Sequence, residues 1–138
     1  MREQVLKAIL QLLAISAKID GISEEERETI RKFLYENVDD ESVPTYIRTF
    51  ENYLKTSVST DDEIRRICAQ INSELEVKQK IIIVLRLIEI GLADNMFSSA
   101  EDHFMKLVCE ALHVEKTIYT AIREFVETRD IYSLQSEN

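Results

Sequence analysis

Leu13–Leu34, LAISAKIDGISEEERETIRKFL, and Leu87–Val108, LIEIGLADNMFSSAEDHFMKLV, carry the same pattern twice. Each runs through an apolar helix, an Asp, a short turn, a Ser, a Glu three residues later and an amphipathic helix. Asp20 aligns with Asp94 at an offset of 74; after one inserted residue, Ser23 aligns with Ser98 and Glu26 with Glu101 at an offset of 75. Ile30 with Met105, then Phe33 with Val108, continue the register. Gly21 and Asn95 follow the two Asp residues, and both types tolerate the left-handed backbone that closes a helix. The pattern predicts two helical hairpins related by a pseudo-twofold axis, with the fifth helix packed against the first.

The Ser-x-x-Glu element is a capping box, in which two side chains satisfy orphan amides of a helix's first turn. It occurs as Ser23/Glu26, Thr60/Glu63, Ser73/Glu76 and Ser98/Glu101, each time ahead of apolar residues at helical spacing. The first helix is expected from about Arg2 to Ala17, with Val5, Ile9, Leu12 and Leu13 on one face. The second starts at Ser23, buries Ile30, Phe33 and Leu34, and ends in the polar stretch Asn37–Ser42. Ser42 and Pro44 open a shorter third helix carrying Tyr46, Ile47, Phe50 and Leu54. A fourth, after Thr60, presents Ile64, Ile67, Cys68 and Ile71. The fifth, Ser73 to about Leu92, is apolar almost all round, which places it at the centre of a bundle. The sixth, after Ser98, carries Phe104, Met105, Val108, Cys109 and Leu112, and the last, from near Val114, presents Ile118, Ala121, Ile122 and Phe125. The expected architecture is all-α: one compact bundle of about seven helices built from two pseudo-repeated helix–turn–helix units. A single domain covers residues 1–132, followed by a polar tail over 133–138.

Bulk properties agree. With 138 residues, 2 Gly and 1 Pro, the chain has enough material for one core and few residues for hairpins or long loops. The formal net charge is −9, and residues 20–41 contribute nine acids against Arg27, Arg31 and Lys32. Such a surface repels phosphate backbones and anionic lipid, which argues against nucleic acid and membrane surfaces as partners. The apolar run Ile81–Ala93 contains Arg86 and Glu89 and is too short and too charged to insert in a bilayer. The N-terminal residues Met1-Arg2-Glu3-Gln4 do not read as a signal peptide. A cytoplasmic location is the expectation, and Cys68 and Cys109, with no CxxC spacing, suit a reducing compartment, the alternative being a single disulfide.

The pattern Ala17-x-x-Asp20-Gly21-Ile22-Ser23-x-x-Glu26, repeated as Asp94-Asn95-x-x-Ser98-x-x-Glu101, resembles the TerB-like family, named for tellurite resistance. Similar domains occur at the N-termini of some membrane-linked DnaJ-type co-chaperones. The resemblance spans roughly residues 1–127. It implies an all-α fold of two pseudo-repeats and a non-catalytic role in stress-related, often membrane-associated assemblies. It also implies divalent-cation binding by the acidic motif positions, here Asp20, Glu26, Asp94 and Glu101. The second copy departs from the pattern in having Asn95 for Gly and an extra residue before Ser98.

Two readings of those four acids follow. A carboxylate at a helix C-terminus opposes the dipole by about 0.5 kcal/mol, yet the chain places one there twice. Either Asp20 and Asp94 accept turn amides, or they ligate a cation. The capping box alone accounts for Glu26 and Glu101. If the acids converge, hard oxygen ligands select Ca²⁺ or Mg²⁺. The span Asp20–Glu26 is too short for an EF-hand loop. His103 and His113 lack zinc-ligand spacing, and Cys68 and Cys109 lie on apolar stripes without an activating base. The function expected is a non-enzymatic protein-interaction module with an unspecified protein partner, the alternative being a Ca²⁺/Mg²⁺ sensor.

Overall fold

The computed structural model describes the backbone of residues 3–92 and 98–136, and the side chains of those residues apart from Asp20 and 129–136. Among them are seven α-helices: α1 (Glu3–Asp20), α2 (Glu24–Asn37), α3 (Val43–Thr56), α4 (Asp61–Asn72), α5 (Val77–Gly91), α6 (Ser99–Ala111) and α7 (Lys116–Ser136). A single 3-10 turn, Asp40–Ser42, leads into α3, with Pro44 in its first turn where a missing amide hydrogen costs nothing. The all-α class expected from the sequence is what the chain adopts.

The centre of the bundle is α1. Val5, Leu6, Ile9, Leu10, Leu12 and Ile15 are each at most 1% exposed, and the helix touches α3, α4, α5 and α6. A helix apolar on nearly every side is stable in water only when others enclose it. The expectation that α5 takes the central place is therefore corrected. Ile83, Val84, Leu87 and Ile88 of α5 are buried, but Val77 and Ile82 are 56% and 53% exposed. The fifth helix is a flank, and one edge of its apolar surface faces out. It does touch α1.

Around this centre, α2 seats Ile30, Phe33 and Leu34, α4 seats Ile64, Ile67, Cys68 and Ile71, and α6 seats Phe104, Met105, Val108, Cys109 and Leu112, matching the predicted stripes. On α7 the expected stripe holds in part, with Ile118 and Ile122 packed against the core. Tyr119 and Val126 are buried, whereas Phe125 is 58% exposed and Ala121 lies outside. The α7 backbone also stays helical through Ser133 to Ser136, where the sequence suggested a tail.

Helix ends explain the remaining departures. Ser73 closes α4 instead of opening α5: its amide donates to the Ala69 carbonyl, and its hydroxyl turns back to the Gln70 carbonyl at 2.8 Å. The start of α5 is Glu76, whose amide donates to Gln79 Oε1 at 2.9 Å. Three helix ends are then tied by one cation. Lys80 is only 8% exposed, and its ammonium donates to Asn72 Oδ1 at 2.9 Å while Asn72 Nδ2 donates to the Ala111 carbonyl at 2.7 Å. The buried charge thus sits by the C-termini of α4 and α6, where the helix dipoles favour it.

Among the described residues, two take the left-handed conformation. Gly21, at φ 81°, ends α1 as the sequence suggests. His113, at φ 61°, ends α6 in a Schellman motif, with Val114 N–H donating to the Cys109 carbonyl at 2.8 Å and His113 N–H to the Glu110 carbonyl at 3.1 Å. A β-branched residue is strained at that φ while glycine is not. His113→Val is accordingly expected to lower stability to denaturant by about 1 kcal/mol or more, and His113→Gly to match or exceed the parent. Equal midpoints for the two variants would contradict the cap.

Candidate functional site

The acidic turns come first, because the sequence singles them out. In the α1–α2 turn, the Ser23 side chain accepts the Glu26 amide at 3.1 Å, and Glu26 Oε1 accepts the Ser23 amide at 3.1 Å. This is the complete reciprocal box, and it holds Glu26 at 8% exposure. In the second copy, Ser98 Oγ accepts the Glu101 amide at 3.0 Å, and Glu101 is 6% exposed. Thr60 Oγ1 caps α4 in the same way through the Glu63 amide at 3.2 Å, but the Glu63 carboxylate turns to Arg66. Glu63 is exposed enough to seek a surface partner, whereas Glu26 and Glu101 lie against the core.

Asp20 is the last residue of α1, so a carboxylate does stand at that helix C-terminus. Its side chain lies outside the described residues, as does Asp94 with the whole segment 93–97. Asn95, the second left-handed candidate, falls in the same segment. The structure therefore places Glu26 and Glu101 at equivalent first-turn positions of α2 and α6. Among the described residues, no three His, Cys, Asp or Glu side chains come close enough to hold a metal ion.

A polar cluster that the sequence does not announce joins α6 to α7. Tyr119 donates its hydroxyl proton to Asp102 Oδ1 at 2.6 Å, Arg123 donates to the same oxygen, and Lys106 pairs with Oδ2 at 2.9 Å. Arg123 Nε also reaches Glu127 at 2.9 Å. The Tyr119 hydrogen bond above all, then the Lys106 and Arg123 charges, hold the Asp102 carboxyl below its ordinary range, against the opposing effect of burial. The tie is thus intact above the unfolded carboxyl's titration and is lost as pH falls through the lowered folded value. Burial, followed by the bond to Asp102, pushes the Tyr119 phenol up. The signal available in the sequence was the spacing Asp102–Lys106 on α6 and Tyr119–Arg123 on α7, two i,i+4 pairs; nothing in it shows that they face each other.

Beside the cluster lies a cleft of about 400 Å³ lined by Lys106, Cys109, Glu110, Val114, Lys116 and Tyr119. Its thiol and its phenol are both shifted away from reactivity. Burial pushes the Cys109 thiol up to about 12, and that of Cys68, deeper in the core, likewise. A thiol with that value is almost wholly protonated at neutral pH. Tyr119, pushed upward, is no better as a base.

A family model described as tellurite resistance protein TerB matches residues 6–124. The chain belongs to the TerB family. The match takes in nearly all of α1, then α2 through α6 and the first part of α7, and so contains both acidic turns, the Lys80 tie and the Asp102–Tyr119–Arg123 contacts. No curated protein and no solved structure matches the chain. Among the described residues, no helix is long and apolar enough to cross a membrane.

The capping role of Glu26 has a direct consequence. An amide oxygen accepts the Ser23 proton as a carboxylate does, so Glu26→Gln is expected to leave the melting temperature nearly unchanged. Ser23→Ala removes a cap worth about 1 kcal/mol, or roughly 3 °C in a domain of this size. A large loss in Glu26→Gln, beyond that of Ser23→Ala, would show that the Glu26 charge itself is required.

Proposed function

We propose that this TerB family chain is a non-enzymatic, cytoplasmic interaction module that works through its acidic surface in a stress- or envelope-associated assembly, or as one domain of a longer polypeptide. Family membership over residues 6–124 carries the reading. It is supported by where the charge lies. Glu24, Glu25 and Glu28 of α2, and Asp39, Asp40 and Glu41 after it, are all exposed, so much of the net charge of −9 is open to a partner. The upward-shifted Cys109 and Tyr119 in the α6–α7 cleft also favour binding over catalysis. Recovery of a stable protein partner from native cell extract supports the module; no partner, with reproducible turnover of a substrate, overturns it.

A second reading keeps the acidic turns as one Ca²⁺ or Mg²⁺ site formed by Asp20, Glu26, Asp94 and Glu101. The observation in its favour is that Glu26 and Glu101 are buried carboxylates at matching positions of two helices. Against it, the Glu26 carboxylate already accepts the Ser23 amide.

Melting of EDTA-stripped protein separates the two. A site filled to about a hundred times its Kd adds about 2.7 kcal/mol, roughly 5–10 °C here. The module reading expects no such shift with Ca²⁺, Mg²⁺, Mn²⁺ or Zn²⁺. A shift with one hard cation, abolished in Asp20→Asn, would replace it with the sensor.

A further inference from the structure

We draw no further inference here: the strongest candidate, the groove between α1 and the α4–α5 corner lined by Val5, Leu75, Ile82 and Ile83, carries nothing because Glu74 is the only charged residue lining it and nothing in the structure shows what covers it.

Discussion

The structure depends on one constraint: α1 is apolar on every side but one narrow polar edge, and its apolar sides must all be removed from water. Leu6, Ile9, Leu10, Leu12 and Ile15 point in directions that no single neighbour covers. Burying a side chain of this kind is worth about 1.5–3 kcal/mol, so leaving any apolar side of α1 uncovered is expensive. Helices α3, α4, α5 and α6 satisfy that requirement together, and their own outer faces are then free to be polar. The acidic exterior follows from this division, and α1 keeps its own charges Glu3, Lys7 and Lys18 along one edge that reaches the surface.

Holding several helices around one leaves many helix ends near the core, where orphan amides and carbonyls are costly. The chain meets this with short-range chemistry. Ser23, Thr60 and Ser98 cap three starts, the Schellman turn at His113 closes α6, and Lys80 with Asn72 serves the ends of α4 and α6 together. Arg27 and Glu51 add a pair between α2 and α3. Glu26 and Glu101 are buried because their capping position lies against the core, and that burial is what makes them resemble site residues.

Local chemistry made most of the fold legible in advance. Stripes on α2, α4 and α6 follow from spacing alone, because one side of each meets the core. Position around the centre did not follow from the sequence: α1 and α5 are both apolar runs, and only packing shows which is enclosed and which leaves Ile82 outside. Ser73 misled because Ser-x-x-Glu marks a helix start only if the chain is not already ending a helix; there the hydroxyl serves the α4 carbonyls instead. On α7, an apolar count favoured Phe125, while Tyr119 is drawn inward by its bond to Asp102, a contact between residues 17 apart in sequence. Of the acidic motif, the spacing gave the capping positions, since Glu26 and Glu101 stand in the capped first turns of α2 and α6. The motif's geometry turns on Asp20 and Asp94, whose side chains lie beyond the described residues. The groove at Ile82 had no sequence signal, since its walls come from separate parts of the chain.

The enclosure of α1 is tested most directly by native-state hydrogen exchange, resolved by residue. Amides of a helix sealed by four others exchange only when the whole domain opens. Those of Ile9, Leu10, Leu12 and Leu13 should therefore share one opening free energy, equal to that of global unfolding by denaturant, and the later turns of α7 should open at lower cost. Exchange from the middle of α1 at a free energy below that of α4 or α6 would contradict the account, because the helix on which the others are built would then open without them.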